Sequence, residues 1–170
     1  MSKRQPTRSE HAASWSAAAP EGYVGFVLVA AGQAVGRAFD LRLGEIGLRQ
    51  TEFSTLFFLA HAPGIGQAEL ARRVYVSPQA MAKVLPELER RGLVERSPAG
   101  PGLATEARLT DAGIAALERA RPIVEEANSP NGLGLSPREC GELLRLLGRI
   151  EDHGVAPSVE PEPQAVRTGA

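Results

Sequence analysis

The stretch QAELARRVYVSPQAMAKVLPELERRGLVERSPAGPGLATEARLT, Gln67 to Thr110, decides how the rest of this 170-residue chain is understood. Its middle carries Ser77-Pro78. A serine hydroxyl accepts from an otherwise unpaired amide of a first helical turn, and proline suits a first-turn position that needs no N–H. A helix is therefore expected to start at Pro78. Met81, Val84, Leu85 and Leu88 follow at i, i+3, i+4 and i+7, a single stripe turned toward a core. Gln79, Lys83, Pro86 and Arg90 fall on the opposite face. Gly92 stands just past Arg90 and Arg91, where a helix ends in a left-handed conformation that costs glycine little.

Working outward, Gly66-Gln67-Ala68-Glu69 enters a shorter helix with a carboxylate in its first turn, followed by Leu70, Ala71 and Val74 on the buried side. Tyr75 and Val76 make the turn into Ser77. On the other side, Leu93 to Arg96 is expected to be a strand, Ser97 to Gly102 a turn, and Glu106 to Leu109 a second strand. Thr110 then caps a further helix, with Asp111 in its first turn. A short helix, a tight turn, a longer helix and a hairpin make a winged helix-turn-helix, in which the second helix reads. An amide and cations on that helix's outward face suit base edges or phosphates in a major groove. The same face also suits plain solvent exposure, with Lys83 paired to Glu87, and the helix alone does not separate the two readings.

The surrounding residues carry a resemblance. Gln67-Ala68-Glu69-Leu70-Ala71, Val76-Ser77, Leu88 to Arg96 (LERRGLVER) and Leu109-Thr110-Asp111-Ala112-Gly113 are similar, in residue type and spacing, to the borders of the reading helix and wing in the MarR family of bacterial transcription regulators. The similarity covers roughly Glu21 to His153. It implies a homodimer in which each subunit sets a winged helix on half of a palindromic operator in double-stranded DNA. It also implies a small, often aromatic, effector, since many members are released from DNA by one. Ser77, Gln79, Ala80 and Lys83, all at the start of the reading helix, are the expected DNA contacts, with Arg90, Arg96 and Arg108 as further candidates.

Two departures from the family pattern bear on this expectation. The family's wing commonly carries an Asp-Arg-Arg run whose arginine reaches the minor groove, whereas Pro101, Gly102 and Leu103 stand here. Arg96 and Arg108 flank the wing and are the candidates for phosphate contact in its place, although a solvated strand arginine explains either one taken alone. Pro86 lies inside the reading helix, removes the hydrogen bond to the carbonyl of Ala82, and is expected to kink it. The four expected contacts at the helix start all precede that point.

Composition sets bounds. The chain is long enough for one domain with its own core, and its net charge of -1 argues against coating nucleic acid indiscriminately. Between Gln67 and Thr110, however, seven Arg and Lys outnumber five Glu. A single cysteine, Cys140, excludes an intramolecular disulfide framework and reads as a packing residue. No apolar run was expected to span a membrane and no secretory segment is evident near Met1, so the expected location is cytoplasmic.

Residues 1–19 lack a clear period and read as a mobile arm, residues 20–154 as the winged-helix domain with dimerisation helices at either end, and residues 155–170 as a disordered tail. Tyr23, Phe26, Val27, Ala30, Ala34, Val35 and Phe39 recur at helical spacing in a first long helix, ended by Leu43 to Gly47. Thr51 to Ala62 is expected to be a second, with Phe53, Leu56, Phe57 and Ala60 as its buried stripe and a frayed start, because Arg49 stands where the family usually has Ser or Thr. Ile114, Leu117, Ile123 and Val124 continue a helix from Asp111 to about Ala127, interrupted or bent at Pro122. Asn128 to Leu135 is expected to be a loop, and Ser136, Pro137 and Glu139 open a last helix bearing Leu143, Leu144, Leu147 and Ile150. That stripe and the first helix are the expected dimer contact.

His11, His61 and His153 lack partners in a metal-ligand motif, and no phosphate-cradling loop, serine elbow or recognisable carboxylate pair is present. Neither an enzyme nor a metal or other cofactor is expected. Phe39, Phe53, Phe57 and His61 are candidates to line an effector pocket, although aromatics at helical spacing are equally the mark of plain core. Two function classes remain open: a dimeric, sequence-specific DNA-binding regulator, and a winged-helix interaction module that binds a protein or small ligand with little DNA affinity.

Overall fold

Serine followed by proline recurs at three helix starts, and one chemistry explains all of them. The computed structural model describes residues 19–98 and 105–153; the arm before them, the wing tip with Pro101, Gly102 and Leu103, and the tail lie outside the described residues. After a 3-10 turn at Pro20–Gly22 come α1 (Val24–Gly44), α2 (Gln50–His61), α3 (Gln67–Arg73), α4 (Pro78–Arg90), β1 (Val94–Pro98), β2 (Thr105–Leu109), α5 (Asp111–Ala127), α6 (Pro130–Leu133) and α7 (Pro137–Asp152). Ser77 Oγ accepts from Ala80 N at 3.1 Å, Ser129 Oγ from Gly132 N at 3.0 Å, and Ser136 Oγ from Glu139 N at 3.3 Å. The pair at Ser129-Pro130 corrects the expectation of a loop between Asn128 and Leu135, for it nucleates the short α6, which Gly134 ends at φ +68°.

The described residues form two compact units, one ending at Ala127 and one beginning at Asn128. In the first, α3 packs on α4, and both close over α2 and the β1–β2 ribbon. The strands are antiparallel, with Val94 opposite Leu109, Glu95 opposite Arg108, Arg96 opposite Ala107 and Ser97 opposite Glu106. Leu43, Leu56, Leu59, Leu70, Met81 and Leu88 are fully buried and form the centre of the core, with Leu85, Val94, Ala116 and Ala120 around them. The α4 stripe therefore lies as its spacing requires, with Val84 half-buried at its edge. Both α4 and α5 continue past their internal prolines, Pro86 and Pro122.

Two helices turn differently from their hydrophobic pattern. In α2 the buried residues are Glu52, Thr55, Leu56 and Leu59, while Phe57 is 41% exposed and Ala60 is exposed. The polar pair is buried because it is satisfied. Thr55 Oγ1 donates to Thr51 O at 2.7 Å, and Glu52 Oε2 accepts from Arg49 N and from Arg91 Nη1, both at 3.0 Å. The bond from Arg49 N to Glu52 also secures the helix start that Arg49 was expected to leave frayed. In α5 the buried residues are Gly113, Ala116, Ala120 and Ile123, whereas Ile114 is half-exposed and Leu117 and Val124 are half-buried. Small residues face the core there so that the helix can approach closely. A Cβ on Gly113 would stand 2.1 Å from the carbonyl oxygen of Leu93.

The first helix corrects a further expectation. Over 21 residues α1 is apolar enough to cross a membrane by length and composition, although Gly, Ala and Gln break up its apolar pattern in the sequence. Its second half carries Arg37, Asp40 and Arg42 and anchors Phe39 and Leu43 in the winged-helix core. Its first half exposes Val24, Phe26, Val27 and Val29. In the second unit, α7 begins with a capping box between Ser136 and Glu139 and exposes Leu143, Leu144, Leu146 and Ile150 along one stripe.

Candidate nucleic-acid interface

The reading helix presents two unlike halves. At its start, Ser77 is committed to the cap, Gln79 is exposed, Ala80 is half-buried and Lys83 is exposed. Neither Gln79 nor Lys83 forms a hydrogen bond or ion pair among the described residues. The carboxylate that Lys83 was positioned to reach, Glu87, is held by Arg90 through two bonds of 2.9 and 2.6 Å. Arg90 accordingly keeps the Glu87 carboxyl below its usual range. The start of α4 is left with an uncommitted amide and an uncommitted ammonium, and with the helix N-terminus beside them, a setting that favours anions.

The other cations of the winged helix are already engaged. Arg72 and Arg73 share the carboxylate of Glu69, whose pKa their hydrogen bonds lower to about 2. Arg91 bridges Glu52 and the carbonyl of Gly47, which clamps the end of α4 to the start of α2. Arg96 is on the ribbon's inner face with Val94 and Ala107, and pairs with Glu89 at 3.5 Å. Arg108 is on the outer face beside Glu95 and Glu106 and binds Glu106 at 2.9 Å. The local excess of cations in the sequence thus reduces to Lys83 as the uncompensated charge on the reading helix. The exposed pairs of Arg90 and Arg108 are weak enough to exchange a carboxylate for a phosphate, whereas Arg96 is turned inward.

The turn before α4 is unusual. Tyr75 has φ +57° and is 83% exposed, although it is neither glycine nor asparagine. The strain places a large phenol next to the start of the reading helix. Helical spacing did not single out this residue; the signal was the absence of a glycine from so tight a turn.

A cavity of about 440 Å³ opens on another side of the same unit. From α2 it takes Phe53, Phe57, Ala60 and His61, from β2 Leu109, and from α5 Ile114, Leu117 and Val124 together with Glu118, Arg121 and Glu125. Three of the four residues expected to line a pocket are brought together here. Phe39 is not among them, because its ring is buried in the core. Phe53 and Phe57 have ring centroids 5.7 Å apart, and Phe57 and His61 4.3 Å apart, so one wall is a continuous row of rings. The large apolar residues that α2 and α5 withhold from the core are the ones that line this space.

A winged helix-turn-helix with an uncommitted polar start to its reading helix defines a class of nucleic-acid-binding proteins. The model of the MarR family matches residues 46–102. The HTH-type transcriptional repressor Rv2887 of Mycobacterium tuberculosis is 34% identical over 128 residues, covering 75% of this chain and 92% of that one. A crystal structure of Rv2887 in complex with salicylic acid has a TM-score of 0.64 at 32% identity, over 79% of this chain and 98% of that one. Its complex with DNA gives 0.61 at 33%, over 75% and 97%. CouR from Rhodococcus jostii RHA1, bound to p-coumaroyl-CoA, gives 0.66 at 26%, over 78% and 94%. The chain belongs to the MarR family.

Proposed function

We propose that this protein is a dimeric, sequence-specific DNA-binding transcription regulator, acting in the cytoplasm, whose hold on DNA responds to a small aromatic effector. The observation that carries the reading is the start of α4, where Gln79 and Lys83 are exposed and uncommitted beside a capped helix N-terminus. The amide suits the bidentate edge of adenine and the ammonium a guanine edge or a phosphate. The relative that is a repressor and has been solved on DNA supports the same reading. Regulation, rather than catalysis, is what the family and its named relatives indicate.

Dimerisation is supported by the apolar surface left uncovered on α1, where Val24 is 76% and Phe26 66% exposed. A monomer seldom keeps so continuous an apolar face in water, and a second copy of the same helix covers it symmetrically. The effector site is the cavity between α2 and α5, whose volume suits a small ring compound. Selection of bound sequences from random DNA by the purified protein tests the main claim. A palindrome whose recovery weakens steeply with salt is the expected result, and failure to enrich any palindrome at low salt would overturn it.

A further inference from the structure

The charge of the cavity wall differs from what an acidic ligand needs. Of the ionisable residues on the wall, Arg121 is bound through Nε and Nη2 to both carboxylate oxygens of Glu118, at 3.0 and 2.6 Å. Its charge is therefore spent within the wall. Glu125, one turn further along α5, lines the same cavity and forms no hydrogen bond or ion pair among the described residues. His61 Nδ1 lies 2.8 Å from the carbonyl oxygen of Phe57. A carbonyl only accepts, so the neutral ring carries its proton on Nδ1 and keeps the Nε2 lone pair as an acceptor. The row of rings from Phe53 through Phe57 presents aromatic faces, which carry negative quadrupole density.

From this arrangement we propose that the effector site selects an aromatic or arylalkyl amine carried as its ammonium ion, in preference to an aromatic carboxylate. The inference rests on the effector reading of the same cavity. An ammonium gains from Glu125, the second carboxylate on a wall that holds a single guanidinium, from the acceptor nitrogen of His61 and from cation–π contact with Phe57, while its ring packs against Ile114 and Leu117. A carboxylate at the same place meets Glu125 and must first displace Glu118 from Arg121. The relative solved with salicylic acid sets the contrast, since this wall does not offer an uncompensated cation for such an acid. Because the carboxylates are solvent-exposed, the selectivity expected is on the order of fivefold to tenfold.

The test titrates the full chain with three probes of one shape, phenethylammonium, phenylacetate and the neutral 2-phenylethanol, following the methyl signals of Ile114, Leu117 and Val124 by NMR. Tightest binding of phenethylammonium, lost severalfold in Glu125→Gln while 2-phenylethanol is unaffected, is the expected result. Arg121→Gln should leave the ammonium bound at least as tightly. Tighter binding of phenylacetate, abolished by Arg121→Gln, overturns the charge preference and leaves the effector site standing, as does equal binding of all three probes. Failure of every probe, 2-phenylethanol included, to move these signals overturns the effector reading of the cavity and this inference with it.

Discussion

The two halves of α4 lie in one helix and share one buried stripe, yet they hold their charges in opposite ways. From Ser77 to Lys83 the polar side chains beyond the cap point to solvent and have no partner among the described residues. From Glu87 to Arg91 each charged side chain is paired: Glu87 with Arg90, Glu89 with Arg96, Arg91 with Glu52. The second half is built to hold the helix against α2 and the ribbon, and the first is left for something outside the chain. A surface that binds must keep its groups uncommitted, because every internal bond must be broken before an external one forms. A surface that supports does the reverse. The Glu87–Arg90 pair is local to the helix, and the rest of the distinction arises from neighbours brought in from α2 and β1.

The supporting side should show the largest effect. Gly113→Ala forces a Cβ to within 2.1 Å of the Leu93 carbonyl, where α5 crosses the start of the ribbon. A loss of about 3 kcal/mol or more is expected in urea unfolding, since backbone cannot move aside as a side chain can. A neutral result would mean that α5 does not pack as described. Arg91→Ala comes next. It leaves the carboxylate of Glu52, with its side chain only 10% exposed, without its charged partner. Full burial would cost more, but Arg91 itself is partly exposed, so about 2 kcal/mol is expected in the same assay. Operator affinity at a temperature where the variant is folded should change little.

On the binding side, Lys83→Ala should lower operator affinity about tenfold and reduce the salt slope by about one, with the urea midpoint unchanged. Arg90→Ala, by contrast, should cost less than about threefold in binding because its charge is already shared with Glu87. Equal losses in the two variants would erase the distinction between the halves. A smaller effect is expected at the turn that aims the helix. Tyr75→Gly relieves a positive φ and should raise stability by about 0.5 kcal/mol, while weakening operator binding if the phenol contacts the phosphate backbone. Stabilisation without any loss of binding would remove Tyr75 from the interface.

The smallest effect concerns pH. Arg72 and Arg73 depress the Glu69 carboxyl to about 2 in the folded chain, below the ordinary carboxylate value of about 4.3. A depressed folded pKa adds stability above the unfolded value, and that contribution disappears as the pH falls through about 2. Glu69→Gln should therefore flatten the acid limb of the stability curve between about pH 4.5 and 2. Solvent screening keeps the difference small, because the three side chains are exposed. An unchanged acid limb in the variant would show that Glu69 titrates as it does in the unfolded chain.

Much of the winged helix was legible in residue order because its signals are local. Ser77-Pro78, the spacing of Met81, Leu85 and Leu88, Gly92 at φ +68° and the cap at Thr110 each depend on a few neighbouring residues. The α2 stripe was misread for the converse reason. Glu52 is buried with a bond from Arg49 N beside it and the compensating charge of Arg91 from far along the chain, and hydrophobic spacing has no means of registering such partners. Once Glu52 and Thr55 turn inward, Phe57 and Ala60 must turn outward, and the cavity follows. Phe39 failed as a pocket residue on the same ground, since its ring's place depends on how α1 meets the core. The short α6 was different, for its Ser-Pro signal was present and was passed over.

By itself, then, the sequence determined the order of the winged helix-turn-helix and most of its helix borders, because capping, turn chemistry and periodicity act over one or two turns of chain, and its motifs carried the resemblance to the MarR family. Tertiary structure alone decided that Arg91 and Arg96 are spent on Glu52 and Glu89 of other elements, and that the rings of α2 face an open cavity rather than the core, whereas Arg90 and Arg108 are paired with residues three and two positions away in their own helix and strand. Charge pairing and burial are properties of neighbours in space. They depend on which distant residues the fold brings within a few ångströms, and residue order does not record that.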